Sequence, residues 1–374
     1  NFNISVGITA EFMEALRKNG TYCTTAGHVY GASFIWNLLI EAAHRNGDPG
    51  VLFLDHMEAH NPTPQIGVQD TTNPCGEQPL LPYEACVLGS IDLSKFIDHD
   101  YNDFDWVRLG GAIYTAIRFL DDMIEASDFP VEEINERVKR GNRRVGLGVM
   151  GWADSLYHLG LAYDSSEAFE LAGTVAAAIA NYAVSSSERL AETRSPFGNW
   201  VGSKWYTEFG KPRRNATVTT IAPTGTISMI ADCSSGIEPV FSLAYQKNVM
   251  RDWKTNEPTS LVYGNPILRT YLSTIGRDNE LTRISDNAGQ LPSGLPEDVY
   301  RVFKTAFTVS PLDHVKMQAV WQDSTENAVS KTINMPSTAT ISDVDEVYRT
   351  AYDLGCVGVT VYRDGSRSGQ VLTS

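Results

Sequence analysis

Residues 311–362 read PLDHVKMQAVWQDSTENAVSKTINMPSTATISDVDEVYRTAYDLGCVGVTVY, and their pattern decides the fold class. Apolar positions at helical spacing run over 311–323 and again over 342–354. After each comes a short apolar run, 329–335 and 357–362, too short for a helix and rich in β-branched residues. Helices alternating with short buried strands predict an α/β protein with a largely parallel sheet.

Working outward, a further helix is expected over 297–308, and residues 250–296 carry the weakest pattern. Residues 218–222 and 227–231 read as strand pieces flanking a turn. A long helix is expected over 165–194, with Asp164 as N-cap and Glu167 completing a capping-box-like pattern. Within it, residues 172–184 include Asn181 and Tyr182 and read as a small-residue face for close packing, and no apolar run reaches membrane-spanning length. Residues 106–126 form a helix with Ile113, Ile117, Leu120 and Ile124 on one stripe, and 131–140 another. Residues 33–46 place Phe34, Ile35, Leu38, Leu39 and Ala42 on one face, ended by Gly47-Asp48-Pro49-Gly50. A helix over 9–19 and a strand over 51–54 complete the pattern. Residues 61–79, rich in Asn, Pro, Thr and Gly, are expected to form a long ordered loop, of a length that is usually functional. With no repeat, low-complexity tract or linker, residues 1–374 are expected to form one domain. The chain opens at Asn1 directly into a strand-like run, Phe2-Asn3-Ile4-Ser5-Val6, and is expected to be a piece of a longer protein.

The 374 residues are 42% hydrophobic and 20% charged, which allows a large core without disulfide staples. A formal net charge of −15 disfavours duplex DNA as a partner, since such binding rests on Lys and Arg neutralising phosphates. It leaves room for a small anion held by backbone N–H groups. Five cysteines (Cys23, Cys75, Cys86, Cys233 and Cys356) with no C-x-x-C spacing fit neither a zinc site nor a secreted disulfide framework, and point to the reducing cytoplasm.

Asn73-Pro74-Cys75-Gly76-Glu77 is the sharpest chemical signal. In an extended backbone, residues 73, 75 and 77 share one face, so an amide, a thiol and a carboxylate converge. Such a trio can hydrogen-bond a hydroxyl, move a hydrogen at sulfur and act as general base. Cys86, eleven residues on, could join a redox pair. Local chemistry alone also allows an inert buried thiol and a loop carboxylate. A second candidate is the turn at Pro223, Thr224, Gly225, Thr226, Ile227 and Ser228, whose hydroxyls and N–H groups could cradle phosphate or form an ordinary turn. Gly146-Leu147-Gly148-Val149-Met150-Gly151 matches G-x-G-x-x-G, but the charged residues before it do not read as the strand a dinucleotide site requires. Asp55, His56, Glu58 and His60 lack the H-E-x-x-H order and an evident third ligand, so no metal site is expected there. Cys23, Cys233 and Cys356 fit no motif and are expected to be structural.

Asn73-Pro74-Cys75-Gly76-Glu77-Gln78-Pro79-Leu80 followed by Cys86-Val87-Leu88-Gly89-Ser90-Ile91 resembles the finger-loop signature of ribonucleotide reductases. Ala222-Pro223-Thr224-Gly225-Thr226-Ile227-Ser228 resembles that family's substrate-phosphate loop, and Ser234-Ser235-Gly236-Ile237-Glu238-Pro239-Val240-Phe241 its continuation. Ser330-Lys331-Thr332-Ile333-Asn334-Met335-Pro336 and Thr360-Val361-Tyr362-Arg363-Asp364-Gly365 are similar to the end of its barrel, and Arg143-Arg144-Val145-Gly146-Leu147-Gly148 is also common there. The motifs fall in order along nearly the whole chain. The resemblance implies a ten-stranded α/β barrel of the ribonucleotide reductase and glycyl radical enzyme type, of which this chain supplies the second half plus the finger loop. It implies that Cys75 carries a thiyl radical that abstracts the ribose 3′-hydrogen, that Glu77 takes the 3′-hydroxyl proton and that Asn73 holds a substrate hydroxyl. Cys86 would be one of two thiols that supply electrons at C2′ and end as a disulfide. The product would be a 2′-deoxyribonucleotide for DNA synthesis.

The radical source is read from two positions. Glu77 is absent from the glycyl-radical type. The iron-dependent type carries two adjacent tyrosines where this chain has Val361-Tyr362. The resemblance is therefore to the adenosylcobalamin-dependent type, with the large subunit of an iron-dependent reductase and a non-catalytic nucleotide-binding fragment as the other readings. The family also implies a ribonucleoside diphosphate substrate, a thioredoxin- or glutaredoxin-like reductant and dNTP or ATP effectors acting through a region before Asn1. A homodimer is compatible with it; no membrane and no direct nucleic-acid contact is expected. The second redox cysteine is expected upstream, and a cysteine-bearing tail after Ser374.

Overall fold

The computed structural model describes residues 3–249, 259–287 and 289–366. Phe2, at the start of the strand-like run, and 250–258, within the weakly patterned region, lie outside the described residues.

The expected strand–helix alternation is present. Val87–Asp92 pairs in parallel with Val145–Met150, with Val87 opposite Val145. Parallel bridges Leu147↔Thr219 and Ile221↔Val329 extend the run through two further segments. Thr332–Met335 then pairs in parallel with Gly358–Arg363. There the direction reverses: Gly358–Arg363 is antiparallel to Gly50–Phe53, which is parallel to Ser5–Ile8. With Val329 and Thr332–Met335 counted as one run, these are seven strand positions, five of one polarity and two of the other. No ring of ten strands is present among the described residues.

Side-chain alternation separates two faces of this run. Ile333, Met335, Val359 and Val361 enter a core with the helices Ala10–Arg17, Ala32–Asn46 and Ile341–Asp353. Thr332, Asn334, Thr360 and Tyr362 take the opposite face and line a cavity of about 580 Å³. A second core joins Val145, Leu147 and Val149 to the helices Trp106–Ala126 and Ser166–Arg194. All four apolar residues expected on the Trp106–Ala126 stripe are buried.

Ser166–Arg194 is in fact long and apolar enough to cross a membrane by length and composition. Here it is a core helix, its Ala172, Val175, Ala176, Ile179 and Ala183 stripe packed with Ile113, Ile117 and Trp321. The small-residue contact is close: a Cβ on Gly110 would lie 3.1 Å from the Tyr182 ring. Its N-cap is Ser165, which accepts from the Ala168 N–H at 3.2 Å. Asp164 instead faces Lys304 at 3.4 Å.

Other expectations need correction. In Ala32–Asn46 the buried residues are Ala32, Trp36, Leu39, Ile40 and Ala43, while Phe34 and Leu38 are exposed. Trp36 stacks edge-on against Tyr348 and turns the helix toward itself. The segment 227–231 is not a strand; Gly225–Ala231 is a short helix. The helix expected over 297–308 stops at Val302, because Thr308 Oγ1 accepts from the Thr305 N–H at 2.7 Å and holds the next residues in a turn. The helix expected over 131–140 is α-helical over Glu132–Asn135 and π-helical over Glu136–Asn142.

Gly146 and Gly148 lie within Val145–Met150, not after it, so the G-x-G-x-x-G spacing has a packing origin. A Cβ on Gly148 would sit 2.5 Å from the Thr220 carbonyl oxygen. Because that atom is backbone, Gly148→Ala is expected to cost roughly 1–3 kcal/mol through overpacking, read as a lowered melting temperature. An unchanged melting temperature would show that the strands can separate.

Candidate active site

The loop over 61–79 is ordered by its own polar side chains. Asn61 Nδ2 donates to the Gly67 carbonyl at 2.8 Å, and Glu58 Oε2 accepts from the Gln69 N–H at 2.8 Å. Thr71–Thr72 and Pro79–Leu80 then form a narrow antiparallel hairpin. Its tip is not the extended strand expected from 73, 75 and 77. The Gly76 N–H donates to the Asn73 carbonyl at 3.1 Å, closing a turn around Pro74 and Cys75. Gly76 then takes φ +86°, a left-handed conformation that glycine adopts without steric cost. Asn73 Oδ1 accepts from the Gln78 N–H at 3.0 Å, so this amide is partly spent on closing the hairpin.

The hairpin threads between strand segments. The Glu77 carbonyl accepts from the Ala328 N–H and from Thr220 Oγ1, both at 3.0 Å. Thr220 belongs to the segment that leads straight into Pro223–Ser228. A strand edge thus joins the two regions that the sequence marked separately.

Cys75 is exposed, and burial, then the Glu77 charge, raises its thiol above the ordinary value. Glu77 is 3% exposed, and its Oε2 has no hydrogen-bond partner among the described residues. Burial raises its carboxyl, opposed first by its own backbone N–H and then by the Asn73 amide. Cys86 is half-buried at the entrance to Val87–Asp92, and desolvation pushes its thiol up to about 12, with Arg144 opposing. Both thiols are therefore held as S–H at neutral pH, the form that can give a hydrogen atom and not the nucleophilic thiolate. At pH 8, iodoacetamide is expected to label Cys86 slower than an ordinary free thiol by on the order of 10³, followed by peptide mass spectrometry. Labelling at the rate of exposed Cys23 would refute the shift.

The sequence reading missed what holds this hairpin. Arg144, 1% exposed, donates to the Pro79 carbonyl at 2.8 Å and to Asn327 Oδ1 at 2.5 Å, and pairs with Glu84 at 3.5 Å. Glu84 also accepts from the Leu81 N–H at 2.9 Å and from Asn142 Nδ2, which the π-helical turn delivers. Two charged residues that flank apolar strand runs, Glu84 before Cys86-Val87-Leu88 and Arg144 before the glycine run, were the available signal.

At the second candidate, Thr224 takes φ +53° and its Oγ1 accepts from the Gly236 N–H at 2.7 Å. The helix that follows has no side-chain cap, and Gly225, Thr226 and Ile227 are exposed at its start. Ser228 is buried against Ser235, 2.9 Å between hydroxyls. Ser228 lines the 580 Å³ cavity with Glu238, Asn334 and Tyr362; Asn73, Cys75, Glu77 and Cys86 do not line it.

The remaining residues separate by role. Asp55 accepts from the Ala10 N–H at 2.5 Å, His56 meets the Cys356 carbonyl at 2.9 Å, and Glu58 is spent on the loop. Cys356 is buried in the core, and Cys233 is half-buried on the cavity wall.

A hairpin threaded among strands, presenting a protonated thiol beside a buried carboxyl, is set in an α/β architecture. The profile of the family described as ribonucleotide reductase, barrel domain, matches residues 1–211 and 210–362. The chain belongs to this family. It is 45% identical over its whole length to a vitamin B12-dependent ribonucleoside-diphosphate reductase of Thermoplasma acidophilum, covering 49% of that protein. It is 42% identical to one from Mycobacterium tuberculosis, covering 54%. The chain thus spans about half the length of these relatives. In structure it is similar to the class Id ribonucleotide reductase alpha subunit of Actinobacillus ureae, with a TM-score of 0.79 at 22% identity over 97% of this chain and 65% of that one.

Proposed function

We propose that the protein to which this chain belongs reduces ribonucleoside diphosphates to 2′-deoxyribonucleotides, with Cys75 as the radical-bearing sulfur. The observation that carries this is the protonated Cys75 thiol within the charge influence of Glu77, whose buried Oε2 has no hydrogen-bond partner among the described residues. An orphaned buried carboxylate oxygen is costly unless a ligand hydroxyl completes it. Glu77 takes the 3′-hydroxyl proton while the sulfur of Cys75 takes the 3′-hydrogen, which it returns to C3′ once C2′ has been reduced, and Asn73 orients the sugar. The 2′-hydroxyl leaves as water. Cys86 and a second cysteine outside this chain give the two electrons and become a disulfide, which a thioredoxin-like dithiol reduces. The exposed start of the Gly225–Ala231 helix and the Thr226 hydroxyl receive the substrate phosphates.

The residues present fit adenosylcobalamin as the radical source. Cys75 is exposed, and a Cβ on Gly76 would meet nothing within 4 Å, so the outer side of the hairpin tip is open to a very large group. Pro74, Cys75 and Gly76 would face it, and when bound it supplies a one-electron oxidant for the sulfur. We also place the protein in the cytoplasm, where its free thiols stay reduced.

The test is anaerobic reduction of cytidine nucleotides by the full-length parent with a dithiol, with and without adenosylcobalamin. Product that depends on the cofactor supports the reading. Product only with an iron-bearing partner subunit would move the chain to the iron-dependent type.

A further inference from the structure

Cys86 and Arg144 are neighbours across a strand pair. The parallel register sets Val87 opposite Val145, so the residues just before them, Cys86 and Arg144, stand opposite each other. The Val87 N–H donates to the Arg144 carbonyl at 3.3 Å and ties the two backbones at this level. Paired residues of parallel strands point to one face, and that face recurs at every second residue. Two residues on, a Cβ at Gly146 would meet Leu88 Cδ2 at 2.8 Å and Gln78 Nε2 at 3.0 Å. The face shared by Cys86, Leu88, Arg144 and Gly146 is therefore the one that looks at the hairpin.

The Arg144 guanidinium is incompletely used. Its Nη2 donates to the Pro79 carbonyl and to Asn327, and its Nη1 lies 3.5 Å from Glu84 Oε2. Its Nε–H is buried and has no hydrogen-bond partner among the described residues. Glu84, two residues before Cys86, is as buried as Arg144, each side chain 1% exposed. Cys86 thus lies beside a buried ion pair whose two members act on its sulfur in opposite senses. Burial disfavours charge on that sulfur most; Arg144 opposes this, and Glu84 and then Glu77 add to it.

One step needs charge there. To reduce a disulfide between Cys86 and the second cysteine, a thiolate of the external dithiol attacks the second cysteine's sulfur. The S–S bond breaks, its electron pair stays on the Cys86 sulfur, and the resulting thiolate takes a proton. The dithiol's other sulfur then attacks the mixed disulfide and frees the second cysteine as a thiolate, which is protonated in turn. The dithiol ends as a disulfide, and the two protons are those its thiols gave up. A better stabilised leaving thiolate departs faster, and burial makes Cys86 a poor one.

We propose that Arg144 is a positioning residue for this re-reduction: its charge and its unused Nε–H hold the Cys86 sulfur as it leaves, and Glu84 limits that pull so that resting Cys86 keeps its hydrogen. The proposal rests on the reading of Cys86 as a redox thiol given above.

The first arm of the test needs no turnover. The reduced full-length parent is treated with iodoacetamide at pH 8, and Cys86 labelling is read by peptide mass spectrometry with exposed Cys23 as internal reference. Arg144→Gln is expected to slow Cys86 labelling several-fold, Arg144→Lys to stay near the parent, and Glu84→Gln to speed it several-fold. Arg144 and Glu84 belong to one brace, so a purely structural role predicts that both glutamine variants expose Cys86 and label faster. Should Arg144→Gln fail to fold, the double variant with Glu84→Gln, which strands no charge, is read against Glu84→Gln alone and is expected to be slower. In the second arm, protein oxidised by one turnover without reductant is given dithiothreitol. Recovery of free Cys86 is expected to follow the same signs, while product formed in that turnover stays within a few-fold of the parent's. Equal signs for the two glutamine variants, or unchanged rates, would overturn the proposal. No product from the parent in that turnover would remove the reading of the reaction and this proposal with it, a result told apart from equal signs, which leave the reaction standing.

Discussion

Cys75→Ala in the full-length parent is expected to abolish ribonucleotide reduction, a loss on the order of 10⁴-fold or more, while nucleotide affinity stays within a few-fold. Cys75 sits at an exposed turn, and its side chain makes no contact that holds the hairpin closed. The closing hydrogen bonds come from Asn73, Gly76 and Gln78, so the fold survives its loss. Glu77→Gln is expected to cost about 10²–10⁴-fold by removing the proton acceptor. The pH profile separates this from a structural effect. The Glu77 carboxyl is raised above its ordinary 4.5, so its base form is lost as pH falls through that raised value. The parent should therefore show an acid limb above pH 4.5 that the glutamine variant lacks. Full activity in Cys75→Ala would remove the radical reading, and an unchanged acid limb in Glu77→Gln would assign the base elsewhere.

Arg144→Met carries the largest expected effect on stability. Its guanidinium, 1% exposed, meets the Pro79 carbonyl, Asn327 and Glu84. Removing one partner of a buried ion pair costs roughly 3–5 kcal/mol, because the other charge stays buried. The loss should appear as a melting temperature lowered by several degrees and as protease sensitivity near 71–80. Glu84→Met in the same chain should recover part of it, since no charge is then stranded. A lone Arg144→Met that melts with the parent would show that water or rearrangement satisfies Glu84.

The helices and strands over 311–362 were legible because their apolar residues recur at periods that only those elements satisfy. The Asn73–Gln78 chemistry was legible as residue types, but its geometry was not. A turn closed by Gly76 and an extended strand predict different directions for the same three side chains, and long-range bonds to Ala328 and Thr220 decide between them. The Ala32–Asn46 face was misread because Phe34 and Leu38 are as apolar as Trp36 and Ile40. Only the partner surface around Tyr348 selects which stripe is buried. Residues 227–231 were misread because five small and apolar residues fit either state, and the left-handed Thr224 that starts a helix there is held by a bond to Gly236.

By itself, the sequence determined the α/β class, the order of most elements and the residue types on the reactive loop, because periodicity and local turn chemistry act over a few neighbouring residues. Tertiary structure alone decided that Glu77 is buried with an oxygen that has no partner among the described residues, that Cys86 stays protonated, and that Arg144 and Glu84 brace the hairpin. Burial and charge pairing depend on groups brought together from dozens to hundreds of residues apart, and desolvation exists only once they are packed.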